Sequence, residues 1–360
     1  MNICLMGASN SFETMPFPQA LKNNNKVSKF RNVSVGGSSS LLGVRGVNKA
    51  HRDDFDFTIL EFVVNENTFL GCGSLSINSL KQTLNFLATS ILNTGSTPVF
   101  LILPTFNDEE GIVTNFYREY CENMGFIYFD VYKFMNSLRS ENTELTRDYF
   151  FDNPNHISRD FSVLVADHLV DKLHLVNSKS FEGDIATIKS NKIINLSFNE
   201  LIPNSHLPIH SIANSVINEK LVEISQSHEG SITISLGKNQ SIIGYSFDAA
   251  QSSGYLVIEG DRKICIDLGT AIYNGNRQNV FFILPIPTAV SSVDEKIKFV
   301  VEKSAPFSAE LTYSQWKHEP DKYPTLDGIV RLCELYVVQE DQVIHAKYTR
   351  LNIELSGFID

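Results

Sequence analysis

Residues 1–175 alternate between short apolar runs and segments of helical periodicity, and this alternation restricts the possible folds more than any other feature of the sequence. The run Phe57–Val64 shows almost no alternation of apolar and polar residues, which is typical of a strand buried on both faces. The segment Ile77–Asn93 instead carries its leucines at helical spacing. Strands and helices that alternate in this way predict a parallel sheet with helices on both faces.

The same patterns assign the other elements of this half of the chain. They predict further strands at Asn2–Met6, Phe30–Val35, Pro98–Leu103 and Phe126–Phe129, and further helices at Pro18–Asn23, Glu109–Met124 and Asp160–Leu173. The fold class expected for residues 1–177 is therefore α/β, with a flavodoxin-like parallel sheet of about five strands.

From residue 178 onward the helical periodicity fades. Short β-rich runs such as Ser241–Phe247 and Tyr255–Glu259 are separated by clusters of Gly, Asn, Asp, Ser and Pro. Many short strands joined by polar turns predict a separate all-β domain with a sandwich-like or jelly-roll-like architecture. We place the two domains at residues 1–177 and 178–360.

The charge of the chain argues against two classes of partner. The 360 residues include 30 Lys and Arg against 41 Asp and Glu, which gives a net charge of −11. An acidic surface repels the phosphates of nucleic acids and of anionic lipids. We therefore expect neither a nucleic acid nor a membrane as a partner.

The cysteines and the N-terminus bear on the compartment. Five cysteines occur without metal-ligand or CxxC spacing, which favours a reducing compartment over a disulfide framework. The first residues lack a basic region and predict a strand rather than a signal peptide, and no stretch approaches the roughly 18 apolar residues of a membrane span. We therefore expect a cytoplasmic protein.

His206 and His210 are four residues apart, but no helix or acidic cluster accompanies them, so no metal site is expected.

Three predicted strands are followed by residues that can take part in acyl transfer. Ser9 offers a hydroxyl nucleophile, Gly37 an unobstructed backbone N–H, and Asn65 a side-chain amide donor. Because functional groups of such sheets gather outside the carboxyl ends of the strands, we expect these residues to meet there. Taken singly, each also fits an ordinary turn or helix cap.

The stretch Phe151–Ser158 supplies a candidate base. A serine hydroxyl needs a base within hydrogen-bond reach, and that base needs an orienting group. His156 precedes the last predicted helix of the domain, Asp152 lies four residues earlier, and Pro154 stiffens the chain between them. Together with Ser9, these residues are the parts of a Ser-His-Asp nucleophilic device.

The order of these residues resembles that of the SGNH (GDSL-like) serine hydrolase superfamily over residues 1–175. The first block of that family, Gly-Asp-Ser-x-Ser, corresponds to Gly7-Ala8-Ser9-Asn10-Ser11. The second block corresponds to the segment from Asn32 to Gly37. The third, Gly-x-Asn-Asp, corresponds to Val63-Val64-Asn65-Glu66, and the fifth, Asp-x-x-His, ends at His156.

The resemblance implies a role for each residue. Ser9 would be the nucleophile and His156 the base, while the N–H groups of Ser9 and Gly37 and the amide of Asn65 would form the oxyanion hole. It implies no metal and no organic cofactor. The expected substrate is a small-molecule or carbohydrate ester, above all an O-acetyl group, and the expected activity is that of a serine esterase. Two alternatives stay open: an O-acyltransferase that modifies a glycan precursor, and an inactive binding or scaffold protein that retains the fold.

One departure from the family concerns the group that orients His156. The residue three positions before it is Asn153, and Asp152 is one position further back. Asp152 orients the ring through a bulged loop, or Asn153 does so, or a Ser-His dyad operates. We favour Asp152, because a carboxylate stabilises the imidazolium that forms during attack.

The second domain is expected to bind carbohydrate, by analogy with β-rich domains attached to other hydrolases. Trp316 lies in the polar segment Ser314–Glu319 and is the residue that we predict to contact the substrate. Weaker candidates are tyrosines of the predicted strands and turns, which more often pack in a core: Tyr245, Tyr255, Tyr273 and Tyr313.

Overall fold

The structure is a computed structural model. It describes residues 1–49, 54–107, 111–178, 183–203, 205–213, 217–227, 229–268, 280–306, 310–313 and 328–357. The chain divides into two compact units. The first comprises Met1–Asn67, Leu84–Ser190 and Ile344–Asp360, and the second comprises Thr68–Thr83 and Asn191–Val343.

The first unit contains a five-stranded parallel sheet in the order β2-β1-β3-β4-β5. Its strands are β1 (Asn2–Gly7), β2 (Lys29–Asn32), β3 (Phe57–Glu61), β4 (Thr97–Ile102) and β5 (Ile127–Asp130). This sheet confirms the predicted α/β, flavodoxin-like class. All five residues of β3 are buried, as predicted for a strand covered on both faces.

Seven longer helices surround or follow these strands. They are α1 (Pro16–Asn23), α2 (Leu41–Lys49), α3 (Val63–Gly71), α4 (Ile77–Asn93), α5 (Ile112–Met124), α6 (Val131–Glu141) and α7 (Arg159–Ser178). Among the described residues, no helix has both the length and the apolar character needed to span a membrane. Two single 3₁₀ turns, Ser9–Ser11 and Arg147–Phe150, and a two-stranded ladder of β6 (Phe151–Asn153) and β7 (His156–Ile157) also belong to the first unit, whereas the end of α3 and the start of α4 belong to the second.

The strand predicted over Phe57–Val64 is too long. It ends at Glu61, and α3 begins at Val63 with the amide of Glu66 donating to the carbonyl of Phe62 at 3.0 Å. Val63 and Val64 are both buried although they lie in a helix. A continuous apolar run is compatible with either kind of buried element, so periodicity could not locate the junction.

Helix α2 was not predicted, because Gly43 and Gly46 lower its helix propensity. Tertiary packing explains Gly43, where an added Cβ would lie 2.9 Å from Cδ1 of Leu87. The glycine therefore allows α2 to approach α4 closely. The close contact between the two helices offsets the poor propensity of the segment.

Residues near the end of the chain cover the edge of the sheet at β5. Tyr128 donates its amide to the carbonyl of Ile353 at 3.1 Å and accepts from the amide of Leu355 at 2.9 Å. Leu355 is itself buried in the core of this unit. An unpaired edge strand invites pairing with another chain, so this segment protects β5.

The second unit is built from two sheets and confirms the predicted all-β character. One is six-stranded in the order β15-β12-β18-β10-β9, with β8 also paired to β18, and the other is five-stranded in the order β11-β16-β13-β14-β17. Their strands are β8 (Ile185–Ser197), β9 (Ile209–Ala213), β10 (Asn218–Ser225), β11 (Ser231–Ser235), β12 (Gln240–Asp248), β13 (Tyr255–Glu259), β14 (Lys263–Asp267), β15 (Phe281–Ser291), β16 (Lys296–Glu302), β17 (Glu310–Tyr313) and β18 (Ile329–Thr349). A single helical turn, α8 (Phe198–Leu201), follows β8.

We predict that Ile59→Ala lowers the free energy of unfolding by about 2–5 kcal/mol, because Ile59 lies fully buried at the centre of β3 and its truncation leaves a cavity. Urea unfolding followed by the helical circular dichroism signal, which arises mainly from the first unit, measures the change. The matched control is Ile112→Ala, since Ile112 is 69% exposed at the start of α5. The control should change the free energy by less than about 0.5 kcal/mol. Equal losses in the two variants would contradict the assignment of the core.

Candidate active site

Ser9 lies at the carboxyl end of β1, as predicted. It is half-buried and opens the 3₁₀ turn Ser9–Ser11. The turn folds back onto the strand so tightly that a Cβ at Gly7 would lie 2.6 Å from both Cβ and Oγ of Ser11. Only glycine fits at that position, so Gly7 makes the turn that presents Ser9.

The loop after β2 lies directly against Ser9. A Cβ built on Gly36 would lie 3.9 Å from the Cβ of Ser9, and Gly37 adopts a left-handed conformation with φ of 69°. Asn32 holds the loop in place, since its Nδ2 donates to the carbonyl of Ser11 at 2.8 Å and its Oδ1 accepts from the amide of Ser34 at 2.9 Å. The first and second sequence blocks therefore meet.

Asn65 lies in the first turn of α3 rather than in a loop after the strand. Its side chain is buried, and Nδ2 donates to the carbonyl of Ser38 at 3.1 Å, one residue beyond Gly37. This bond leaves the second N–H of the amide for another acceptor. The third block is thus joined to the second, and the predicted oxyanion donors share one edge of the sheet.

His156 is half-buried in β7, and its Nδ1 lies 2.9 Å from Oδ1 of Asn153. The same Oδ1 accepts from the amide of Asn155 at 3.1 Å. Because a backbone N–H can only donate, the Asn153 atom is the oxygen, and Nδ1 of His156 carries the proton. This tautomer leaves the lone pair on Nε2 available to accept a proton.

The structure does not support the preference for Asp152 as the orienting group. Asp152 is exposed, and in the part of the chain that the structure describes no hydrogen bond joins it to His156. Asn153 is the ladder partner of His156 and accepts from its ring, whereas Asp152 lies where the register of the ladder is irregular, between Phe151 and Asn153. The geometry favours the alternative in which Asn153 orients the ring.

Asp152 nevertheless influences His156 through its charge. Burial lowers the pKa of His156 below its usual 6.5, and the carboxylate of Asp152 partly offsets this. His156 is therefore neutral and able to act as a base at neutral pH.

The side chain of Asn10 joins the His156 segment to the turn of Ser9. Its Nδ2 donates to the carbonyl of Asn155 at 2.9 Å, and its Oδ1 accepts from the amide of Ile157 at 3.2 Å. Ser9 and His156 lie next to residues that bond each other, although 147 positions separate them in the sequence. The fifth block is thereby brought to the same edge as the other three.

Two buried glutamates that the motif analysis did not select lie beneath this edge. Oε2 of Glu61, the last residue of β3, accepts from the amide of Ala8 at 3.2 Å and from the hydroxyl of Ser11 at 2.9 Å. Glu66 accepts from the amide of Ser40 at 3.1 Å and from the hydroxyl of Tyr117 at 2.5 Å. Glu61 thus supports the Ser9 turn, and Glu66 supports the Gly37 loop. A carboxyl group inside an otherwise apolar strand was the signal that could have identified Glu61.

Burial raises the pKa of Glu61 to about 8 and that of Glu66 to about 7, against the effect of the hydrogen bonds that they accept. Their mutual repulsion raises the pKa of Glu61 further. Glu61 is consequently protonated at neutral pH, and it supports the Ser9 turn as a neutral acid.

The structure describes only some of the aromatic residues that were predicted to contact the substrate. Trp316 and Tyr273 lie outside the described residues. Tyr245 is almost fully buried, which makes it a core residue rather than a sugar platform. Within the described ranges, no three His, Cys, Asp or Glu side chains are grouped so that they could hold a metal ion, and His210 bonds to Glu223 at 2.9 Å.

We predict that the protein loses stability as the pH rises from about 4.5 to about 8, and that Glu61→Gln reduces this loss. The raised pKa of Glu61 means that the folded state retains a proton that the unfolded chain releases near its usual 4.5. The stabilisation is present below that value and is lost as the pH rises through about 8, at about 1.4 kcal/mol per pKa unit. Thermal unfolding across this range measures the effect. Glu141→Gln, at the exposed end of α6, should keep the wild-type dependence, and a Glu61→Gln profile parallel to that of the wild type would refute the assignment.

Comparison with protein-family models finds no match to this chain, and comparison with curated proteins finds none either. Solved structures do match. A two-domain esterase (CEX) active on acetylated mannans, co-crystallised with mannopentaose, matches over 95% of this chain and 92% of its own, with a TM-score of 0.56 and 12% identity. A second crystal structure of a two-domain esterase of that description matches over the same shares with a TM-score of 0.55 and 12% identity.

The acetyl xylan esterase AlAXEase matches over 46% of this chain and 96% of its own, with 12% identity, but its TM-score of 0.40 supports no inference. At 12% identity the likeness to the two-domain esterase concerns the fold. Together with the order of the parallel sheet, it confirms the predicted fold: a flavodoxin-like α/β first part followed by an all-β part, as expected from the resemblance to the SGNH hydrolases.

Proposed function

We propose that this chain is a serine esterase that hydrolyses acetyl esters of a carbohydrate. The observation that carries the proposal is the convergence of four separate sequence blocks at the carboxyl edge of one sheet, with His156 held by Asn153 in the tautomer of a general base. An ordinary turn or helix cap accounts for each residue singly, but it does not account for their meeting.

In the first half of the proposed reaction, Oγ of Ser9 attacks the acetyl carbonyl while Nε2 of His156 takes the hydroxyl proton. The carbonyl oxygen becomes negative and accepts hydrogen bonds from the N–H groups of Ser9 and Gly37 and from Nδ2 of Asn65. Each such donor commonly contributes about 3–4 kcal/mol of transition-state stabilisation. The intermediate collapses, the C–O bond to the sugar breaks, and His156 returns its proton to the sugar oxygen.

The second half repeats these steps with water. His156 takes a proton from a water molecule, whose oxygen attacks the acetyl-Ser9 carbonyl. The bond to Oγ breaks, the proton passes from His156 to Ser9, and acetate leaves. The same residues serve both halves, and the chain needs no further proton carrier.

Asn153 contributes orientation rather than charge. Its Oδ1 accepts the Nδ1 proton, which leaves the lone pair on Nε2 for the hydroxyl proton of Ser9, as the amide does in the Cys-His-Asn arrangement of papain-like proteases. A neutral amide stabilises the imidazolium less than a carboxylate does. The charge of Asp152 supplies part of that difference from a greater distance.

The proposal of a carbohydrate substrate has separate support. The two-domain esterase that matches 95% of this chain is active on acetylated mannans, and its match extends into the all-β part. The acidic charge of this chain also suits a neutral glycan better than a polyanion. Hydrolysis is proposed before transfer because water needs no acceptor site.

We predict that Ser9→Ala lowers kcat/KM for p-nitrophenyl acetate and for an acetylated mannan oligosaccharide by at least about 10³-fold, because it removes the nucleophile. Release of p-nitrophenol and of acetate measures the two activities. The matched control is Ser137→Ala on the exposed face of α6, which should retain wild-type rates.

Labelling of the wild type by a fluorophosphonate, absent in Ser9→Ala, should accompany the loss of activity. The absence of both turnover and labelling in the wild type would refute the proposal and favour an inactive binding protein. Transfer of acetyl to an added mannan oligosaccharide faster than to water would instead identify an acyltransferase.

We predict that the pH profile of kcat/KM distinguishes the two candidates for the orienting group. Asn153→Ala should lower the plateau rate by about 10²-fold, because the ring loses its fixed orientation. Asp152→Asn should keep the plateau within about threefold and move the acidic limb to lower pH, since it removes the charge that raises the pKa of His156. Asn153→Asp should move that limb to higher pH, because a carboxylate beside the imidazole raises its pKa. An Asp152→Asn loss as large as that of Asn153→Ala would show that Asp152 is the orienting group.

A further inference from the structure

Asn10 occupies an unusual position between the two candidate reacting side chains. It follows Ser9 directly in the 3₁₀ turn, and the residue is 3% exposed. It does not point into solvent or cap a helix. Its amide lies against the backbone of the His156 segment, where it makes two hydrogen bonds.

These two bonds lie on either side of His156. Nδ2 donates to the carbonyl of Asn155 at 2.9 Å, and Oδ1 accepts from the amide of Ile157 at 3.2 Å. One bond needs a donor and the other an acceptor, so a flipped amide would lose both. A carboxylate can satisfy only the acceptor position, and an apolar side chain satisfies neither.

The rest of the segment is held in other ways. The amide of Ser158 donates to the carbonyl of Phe150 at 2.8 Å, and the amide of Phe106 donates to the carbonyl of Pro154 at 2.8 Å. These contacts tie the segment to itself and to the loop after β4. Phe151 and Ile157 pack in the core of the unit, residues 152–155 between them are exposed, and the side chain of Asn10 bonds the segment to the Ser9 turn.

We propose that Asn10 is a positioning residue that fixes the backbone of His156 relative to Ser9. The inference rests on the proposed function, since it assigns Asn10 a part in the same reaction without contact with the substrate. The peptide groups on both sides of the base are anchored to the residue beside the nucleophile. Any movement of the turn therefore carries the base with it.

The physical consequence concerns the rate of reaction more than substrate binding. Proton transfer needs Nε2 of His156 within about 2.6–3.2 Å of the serine oxygen, and a misplacement of about 1 Å commonly costs about 10²-fold in rate.

Asn10 also keeps His156 packed against the turn. A loosened segment admits water, which reduces the desolvation that lowers the pKa of the ring. Asp152 is the charged group whose field acts on His156, and it is unaffected by this change.

The test compares Asn10→Ala and Asn10→Asp with the wild type on an acetyl ester. Asn10→Ala should lower kcat about 10–100-fold, leave KM within about threefold, and move the acidic limb of the pH profile up toward 6.5. Asn10→Asp retains the bond from the amide of Ile157 and should lose less in kcat than Asn10→Ala. If Asn10→Ala does not fold, the kcat of Asn10→Asp relative to that of the wild type tests the inference.

The matched control is Asn85→Ala. Oδ1 of Asn85 accepts from the hydroxyl of Tyr120 at 3.0 Å and joins α4 to α5 away from the Ser9 turn. Its loss should lower the melting temperature without changing kcat or the pH profile. A kcat loss in Asn85→Ala equal to that in Asn10→Ala, or wild-type kcat and pH dependence in Asn10→Ala, would overturn the inference.

An NMR titration of the His156 ring, assigned with a His156→Gln variant, separates this inference from the proposed function. Asn10→Ala should raise the pKa of His156 in the absence of substrate. A raised pKa without Ser9-dependent turnover in the wild type would refute the esterase and leave the anchoring of His156 in place. An unchanged pKa in an active enzyme would refute the positioning role alone.

Discussion

The parallel pairing of β1 with β3 is the constraint on which the candidate site depends. It sets Gly7 opposite Glu61, so that the ends of both strands lie at one edge of the sheet. From that register the chain can turn tightly into Ser9 on one side and enter α3 with Asn65 on the other. Because both strands are buried on both faces, a shift of register would expose core residues, and the edge is therefore held firmly.

Buried carboxyl groups link this edge to the interior. Glu61 and Glu66 have no exposed surface, yet they accept hydrogen bonds from the Ser9 turn and the Gly37 loop. Charged carboxylates in such surroundings are costly, which is why their pKa values rise. As a neutral acid, Glu61 satisfies the backbone amide of Ala8 without placing a full negative charge beneath the oxyanion that we propose forms there. The electrostatics and the geometry of the edge thus have the same origin.

The sequence was sufficient to predict the parallel sheet and the residues that lie at the ends of its strands. The apolar run at β3 and the periodicity of Ile77–Asn93 predicted both elements, and the order of Ser9, Gly37, Asn65 and His156 indicated a common edge. Element boundaries were harder to predict. Val63 and Val64 are β-branched and apolar in either element, so only packing decided that they begin a helix. The same holds for α2, where Gly43 is explained by the close approach of Leu87 and Gly46 by that of Met6.

The sequence by itself determined which functional groups are available: a serine, a glycine, an amide and a histidine, each following a strand or preceding a helix. What only the tertiary structure decided was which neighbour serves which group. Asp152 and Asn153 are adjacent in sequence, but the ladder of β6 with β7 pairs Asn153 with His156, and only Asn153 makes a hydrogen bond with the ring. Asn10 and Glu61 act through contacts with residues 147 and 53 positions away. Side-chain direction and long-range contacts depend on the register in which the strands pair. The linear sequence does not specify that register, so only the folded structure determines these contacts.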